Sequence, residues 1–272
     1  MELNEDITFE LQKLKSDEVV SKNVVDKLSS LLVDAVDERV DDKVGIAFSG
    51  GVDSTLIAFL CDKLDREFTL YTVGFADSKD VLAAQTIADE MDWPIKVKII
   101  TLDEVEDIIK KVIKITGKRD PVAVGVGCVT YSVLLMMKEQ ILLTGLGSEE
   151  IFAGYERHKG EDINARCWEG MLNIWERDIL RDLRLAEHFG KEVRLPFLDR
   201  ELIEYGMKID PKLKVNPDKK QVLRDAAVNL GLKKEFAYRK KSAAQYGSKF
   251  DYALDKLAKR KKMTKKEYLE SL

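Results

Sequence analysis

One short stretch of the chain combines the residue types that hold phosphate groups. Gly50 and Gly51 lie between Ser49 and Ser54, where a run of apolar residues gives way to a helical pattern. Glycine lets the backbone approach a ligand closely, and the free N–H groups at a helix start attract an anion. Asp53 would repel a bare phosphate, so we expect Mg²⁺ to lie between the two. The stretch predicts a phosphate loop, and it is not a Walker loop because GxxxxGKS/T is absent.

Other residue types that could do chemistry are sparse. The two histidines are far apart in the sequence, and the three cysteines form no CxxC pair. This pattern indicates neither a metal site nor a disulfide framework. Unpaired cysteines are typical of a reducing compartment, so we expect a cytoplasmic protein.

The elements that must position the loop alternate between strand and helix. Strands are expected at residues 44–48, 68–73, 95–100 and 141–143, and helices at 54–64, 78–91, 102–115 and 130–137. This alternation implies right-handed βαβ units and a parallel sheet, so the predicted fold class is α/β. After Asp120 and Pro121, the glycines Gly125 and Gly127 are expected to form a loop, either part of a substrate pocket or a plain turn.

Three regions follow from the pattern: a helical N-terminal segment at 1–40, an α/β core at 41–160, and a mostly helical part of the same domain at 161–272. The fractions of hydrophobic residues (45%) and charged residues (35%) exclude a disordered chain and a membrane protein. Apolar runs such as 133–137 are too short to span a bilayer, and the acidic N-terminus fits no signal or transit peptide. A net charge of −4 argues against a nucleic-acid coat protein, and a homo-oligomer stays open.

The phosphate loop, with its SGGxDS pattern between a strand and a helix, resembles the pyrophosphate loop of the N-type ATP pyrophosphatases. Further stretches resemble asparagine synthetases and their relative β-lactam synthetase, in the order of that family. LTGLGSEEIFAGY (143–155) is similar to LSGEGADELFGGY, and EVRLPFLD (192–199) to EVRVPFLD. KQVLR (220–224) and YRKK (238–241) are similar to KxxLR and WRxK, and DVLAAQ (80–85) to the segment after the second strand. Residues 44–248 thus resemble the synthetase domain of this family, without its glutaminase domain.

The resemblance implies a doubly wound, Rossmann-like sheet of the adenine nucleotide α-hydrolase type. It also implies an AMP-forming carbon–nitrogen ligase, which uses ATP and Mg²⁺ to adenylate a carboxylate, releases pyrophosphate and transfers the acyl group to ammonia or an amine. Lys241 would stabilise charge at the reacting carbonyl and is, with Asp53, the predicted catalytic pair. By the same resemblance, pyrophosphate would be held by Ser49, Gly50, Gly51, Asp53 and Ser54, adenine by the backbone of Ala47, Val73 and Gly145, and Mg²⁺ by Asp53 and Glu149.

Departures from the family pattern leave the reaction open. Leu146 stands where asparagine synthetases carry a glutamate thought to act in amidation, and a leucine cannot transfer a proton. This argues against plain aspartate amidation and leaves adenylation intact. The nitrogen would come from ammonia in solution, a separate glutaminase or another amine. Two alternatives are a tRNA-modifying relative, which the lack of CxxC disfavours, and a non-catalytic nucleotide-binding subunit, which Leu146 favours. The basic run at 256–266 is expected to be a solvated helix face, so a nucleic-acid partner is not favoured.

Overall fold

The computed structural model describes residues 3–158, 160 and 162–272, so the first two residues of the predicted N-terminal segment lie outside the described residues. Within these ranges the strands are β1 (Val44–Ala47), β2 (Phe68–Gly74), β3 (Ile95–Ile99), β4 (Ile141–Leu143) and β5 (Glu192–Arg194). Neighbouring strands are all parallel, in the order β3-β2-β1-β4-β5. This confirms the predicted α/β fold with a doubly wound parallel sheet. The order of the strands reverses between β1 and β4, and sheets of this type bind ligands at such a switch point.

Helices make up most of the remaining chain. They are α1 (Ile7–Lys13), α2 (Val24–Asp37), α3 (Val52–Lys63), α4 (Lys79–Met91), α5 (Leu102–Thr116), α6 (Pro121–Met136), α7 (Ser148–Ile151), α8 (Ile163–Leu172), α9 (Leu180–His188), α10 (Arg200–Lys208), α11 (Pro211–Val215), α12 (Gln221–Leu230), α13 (Lys234–Ala237), α14 (Ala244–Gly247), α15 (Phe250–Arg260) and α16 (Lys265–Glu270). Short 3-10 turns occur at Glu156–His158 and Pro196–Leu198, and a π-helical turn at Trp175–Ile179.

The central strands β1 and β4 are buried in the core of the sheet. Val44, Ile46, Leu142 and Leu143 are all fully buried. A parallel strand covered on both faces has a continuous apolar sequence rather than an alternating one. This is why these two strands could be recognised from the sequence.

The loop predicted around Gly125 and Gly127 is wrong, because both glycines lie inside α6. Asp120 caps this helix, since its Oδ1 accepts hydrogen bonds from two N–H groups of the first turn at 2.9 and 3.0 Å. Pro121 fits the first helical position, where no N–H group is needed. The glycines serve close packing instead: a Cβ on Gly127 would lie 2.9 Å from Val112 Cγ1 of α5.

The N-terminal segment, expected to be helical throughout, contains two helices, α1 and α2, with an extended stretch between them. In this stretch Val20 forms an isolated parallel bridge with Ile209, and its N–H donates to Lys208 O at 2.8 Å. The extended conformation is stabilised by a partner that is distant in the sequence.

Among the described residues no single helix has the length and apolar composition needed to cross a membrane. One bent pair, α5 with α6 at 103°, meets the same criteria by length and composition only.

Candidate active site

The carboxyl end of β1 leads into the pyrophosphate loop, residues 49–54, which ends in the first turn of α3. Gly50 has a φ of +66°, and a Cβ on it would lie 3.3 Å from the backbone carbon of Ala83 in α4, so glycine is required there. Ser54 Oγ accepts a hydrogen bond from Ser49 N at 3.3 Å. Ser49 Oγ accepts one from Gly51 N at 3.4 Å. The predicted pyrophosphate-binding residues therefore form one tight loop at a helix N-terminus, where an anion is favoured.

Two cations from the C-terminal part of the chain contact this loop. Arg239 donates from Nε to Gly50 O at 2.6 Å and from Nη2 to Ser49 O at 2.7 Å. Lys241 Nζ donates to Ser49 Oγ at 3.1 Å. A Cβ on Gly51 would lie only 2.2 Å from Lys241 Cδ, so the lysine side chain lies directly on the loop. The lysine predicted to be catalytic is thus placed at the pyrophosphate loop.

A third cation, Lys220, lies between the two carboxylates predicted to bind the metal. Its Nζ donates to Asp53 Oδ1 at 2.7 Å, is 2.8 Å from Glu149 Oε1, and donates to Ser148 Oγ at 3.0 Å. Lys220 and Asp53 are only 4% and 5% exposed. Burial alone would raise the pKa of Asp53, but the charges of Lys220 and Lys241 outweigh it and lower that pKa. Burial likewise acts to lower the pKa of Lys220, and the two carboxylates raise it above its ordinary value. Both members of this buried pair are therefore charged.

The carboxylates of Asp53 and Glu149 fit a divalent cation that binds together with phosphate. Gly154 makes room for the long side chain of Glu149, since a Cβ there would lie 1.7 Å from Glu149 Oε2. Within the described ranges, no group of three or more His, Cys, Asp or Glu side chains could hold a metal ion by itself. Mg²⁺ is typically bound by one or two carboxylates, with phosphate oxygens and water completing its shell. Lys220 contacts only one oxygen of each carboxylate, so the donor set fits Mg²⁺ that would bind with a nucleotide through the other oxygens.

The three positions predicted to receive adenine lie at the carboxyl ends of three neighbouring strands. Ala47 ends β1, Val73 is the last residue but one of β2, and Gly145 comes two residues after β4. Since β1 lies between β2 and β4, these positions share one edge of the sheet at its switch point. Their contact with adenine stays a prediction.

A cavity of about 630 Å³ opens beside the pyrophosphate loop. This volume is typical of small-molecule sites, which measure about 300–1,000 Å³. The residues predicted to receive adenine are outside its lining, and a larger cavity of about 860 Å³ near α5 and α9 contains none of the predicted site residues. The charged side chains that line the cavity beside the loop include Asp53, Glu149, Lys220, Arg239 and Lys241.

The residues after β4 give no acid or base in the place of the family glutamate. Leu146 is partly buried and packs against the core. Glu150 is fully buried and forms an ion pair with Arg177, and burial raises its pKa. It is not part of the cavity lining.

Sequence reasoning assigned no role to Lys220 or Arg239. Both residues lie in stretches whose family resemblance was recognised, 220–224 and 238–241, so a signal was present. Their contacts with Asp53 and Ser49 connect parts of the chain 167 and 190 positions apart, which only the fold reveals.

Comparisons with known proteins show which families, sequences and solved structures this chain resembles. The sequence model of the asparagine synthase family matches residues 27–172 and 159–270. A Methanocaldococcus jannaschii protein assigned to the glutamine-hydrolyzing asparagine synthetases is 32% identical over 85% of this chain and 50% of its own length. The glutamine-hydrolyzing asparagine synthetase of Homo sapiens is 26% identical over 83% of this chain and 44% of its own length. The chain thus spans about half the length of these relatives. A solved U34-tRNA thiolase from Methanococcus maripaludis covers 90% of this chain and 77% of its own with 15% identity and a TM-score of 0.41, a likeness too distant to bear on function.

Proposed function

We propose, from the premise that this chain belongs to the asparagine synthase family, that it is an AMP-forming carbon–nitrogen ligase. It would adenylate a carboxylate with ATP, release pyrophosphate, and transfer the acyl group to ammonia or an amine. The supporting observation is that three cations and the Asp53–Glu149 pair line one cavity, at the end of the pyrophosphate loop that two of these cations contact. Fixed cations beside free N–H groups suit a ligand of high negative charge. The three cations are Lys220, Arg239 and Lys241.

The loop and Arg239 prepare the site for a phosphate chain. Arg239 takes up the carbonyl oxygens of Ser49 and Gly50, so these oxygens do not repel a phosphate group. The N–H groups at the start of α3 then supply hydrogen bonds and the positive end of a helix. Mg²⁺ bound by Asp53 and Glu149 would neutralise part of the phosphate charge.

In the first step, an oxygen of the carboxylate would attack the α-phosphorus of ATP, and the bond to pyrophosphate would break. Lys220 and Lys241 would stabilise the charge that leaves with pyrophosphate, and Lys241 would also stabilise charge at the reacting carbonyl. A preorganised donor at a position of developing charge contributes about 3 kcal/mol to lowering a barrier. Holding the carboxylate beside the phosphate chain of the nucleotide lowers the barrier further, because the reactants no longer have to meet by diffusion.

In the second step, a nitrogen would attack the acyl carbon, AMP would leave, and the nitrogen would give up a proton to the leaving phosphate of AMP or to water. Leu146 cannot accept this proton. Ammonia, or an amine that arrives uncharged, therefore fits the site better than one that the enzyme must deprotonate.

The test is exchange of labelled pyrophosphate into ATP, with Mg²⁺ and a panel of amino acids and other carboxylates. We expect exchange that requires one carboxylate, is abolished by Asp53→Asn, and is unchanged in Asp62→Asn, an exposed carboxylate of the same helix. A folded protein that binds ATP but exchanges with no carboxylate would contradict the proposal. If exchange required tRNA instead of a carboxylate, the protein would be a tRNA-modifying enzyme. If no exchange occurred at all, it would be a nucleotide-binding subunit.

A further inference from the structure

A buried carboxylate with an unpartnered oxygen lies beside the pyrophosphate loop. Asp80, in the first turn of α4, is 4% exposed, and its Oδ1 has no hydrogen-bond partner among the residues that the structure describes. It is not the cap of α4, because Ser78 Oγ accepts the hydrogen bond from Val81 N. Buried carboxylates are normally paired, since an uncompensated charge in the interior is costly. Neither the fold nor the proposed reaction accounts for Asp80.

Asp80 is covered by the segment that carries Lys241, residues 239–247, which we call the strap. A Cβ on Gly247, the last residue of the strap, would lie 2.2 Å from Asp80 Oδ2 and 2.3 Å from Oδ1. The backbone of the strap therefore lies directly on the carboxylate. One turn further along α4, Ala83 contacts Gly50 of the pyrophosphate loop. Asp80 is thus located where strap, loop and α4 meet.

The strap makes opposing interactions with the rest of the protein. Arg239 and Lys241 bind the pyrophosphate loop and hold the strap closed. They are also the charged groups that face Asp80, and α14, which lies on it, has no charged residue. Their attraction does not compensate the burial, which raises the pKa of Asp80 from its ordinary 3.8 to about 6. Closing the strap therefore costs free energy when Asp80 is ionised.

We propose that the strap is a gate over the pyrophosphate loop, and that the buried carboxylate of Asp80 keeps its closure weak, so that the strap opens to release pyrophosphate. The release step rests on the proposed function, whereas the opening of the strap does not. A neutral side chain at position 80 would let the strap close more firmly, because closing would no longer bury an unpaired charge.

Hydrogen–deuterium exchange of the full chain measures the opening directly. The N–H groups of residues 246 and 247 donate hydrogen bonds within the strap at α14, a helix of four residues that is too short to be stable without its packing, so they exchange when the strap opens. We expect Asp80→Asn to slow their exchange by up to about 100-fold, the factor that two pKa units represent. In the wild type, the exchange corrected for its intrinsic pH dependence should slow as the pH falls from about 7 to about 4, because the closed strap binds a proton at Asp80 more readily than the open strap does. Asp80→Asn should lack this dependence.

Two further variants separate the charge of Asp80 from general effects. Asp77→Asn also removes a carboxylate at the start of α4, but Asp77 is 78% exposed and pairs with Lys249. The exchange of the strap in this variant should therefore depend on pH as it does in the wild type. Gly247→Ala keeps the charge and adds a methyl group against it, so exchange should be faster. Exchange in Asp80→Asn as fast as in the wild type would overturn the gate. If Asp80→Asn did not fold, an unchanged rate in Gly247→Ala, or no pH dependence in the wild type, would overturn it equally.

Binding of pyrophosphate with Mg²⁺ tests the release step. Asp80→Asn should bind it more tightly by calorimetry and release it more slowly in a stopped-flow experiment than the wild type. Weaker binding in this variant would contradict the proposal. If the wild type bound no pyrophosphate while Asp80→Asn still protected the strap, the proposed function would fail and the gate would stand.

Discussion

The buried position of Lys220 between Asp53 and Glu149 leads to a quantitative prediction about stability. Lys220→Met keeps most of the packing of the side chain and removes its charge. Asp53, 5% exposed, then loses a partner at 2.7 Å and keeps its own charge. Removing one member of a buried ion pair costs about 3–5 kcal/mol of unfolding free energy. We expect about 3 kcal/mol, the lower end of the range, because Glu149 is 30% exposed and water screens its charge.

The loss should depend on pH in a defined direction. In the wild type the pKa of Asp53 is below its ordinary value, so its stabilising contribution is present at neutral pH and is lost as the pH falls through the lowered pKa. Without Lys220, burial becomes the dominant influence, and the ionised form of Asp53 destabilises the folded state at neutral pH. Protonation removes this cost. The difference between variant and wild type should therefore be largest near about pH 8 and smallest near about pH 4.

Urea unfolding at several pH values measures this difference, with Lys219→Met as the matched control. Lys219 is the preceding residue, is 34% exposed and pairs with the exposed Glu156, so its loss should cost at most about 1 kcal/mol. An unfolding free energy of Lys220→Met within about 1 kcal/mol of the wild type near about pH 8, or a loss that is the same at all pH values, would contradict a buried Asp53 that depends on Lys220 for its charge.

Three further substitutions test the contacts around the loop. Gly51→Ala places a Cβ 2.2 Å from Lys241 Cδ, so pyrophosphate exchange should fall by about 100-fold while thermal unfolding changes little; full activity would show that the lysine has no fixed position. Gly154→Ala places a Cβ 1.7 Å from Glu149 Oε2 and should weaken the binding of Mn²⁺ with ATP. Electron paramagnetic resonance measures this affinity, and an unchanged affinity would exclude Glu149 as a ligand. Asp80→Asn should raise the unfolding free energy by up to about 3 kcal/mol near about pH 7.5, because the folded pKa of about 6 exceeds 3.8 and the charged form is disfavoured. This gain should vanish near about pH 4. A lower unfolding free energy than that of the wild type, measured by urea unfolding near about pH 7.5, would contradict it.

The parts of the fold that could be predicted are those whose signal is local. The runs at 44–48 and 141–143 are apolar because β1 and β4 are covered on both faces, and such runs are visible without knowledge of their partners. The loop at 49–54 could be recognised because its glycines and hydroxyls are consecutive. The predictions failed where a local signal was misread, or where contact with a residue distant in the sequence determines the local structure. Gly125 and Gly127 predict a loop when they are considered alone, although Asp120 and Pro121 are typical of a helix start. The strand β5 has only three residues and exists through its pairing with β4.

In the candidate site, too, some residues could be predicted from the sequence and others could not, and the reason is electrostatic. Its carboxylates and its glycine loop follow β1 and β4, where the carboxyl ends of parallel strands bring them together. Its cations come from residues 220–241, and nothing in a short run of lysines and arginines distinguishes a buried ion pair from a solvated surface. Lys220 is distinguished by burial against Asp53, and Arg239 by its bonds to loop carbonyls. Neither group of residues alone makes the site, since the carboxylates without the cations would repel a nucleotide and the cations without the loop would have no fixed position. The chemistry proposed for this chain is therefore a property of the contact between its sheet edge and its C-terminal helices.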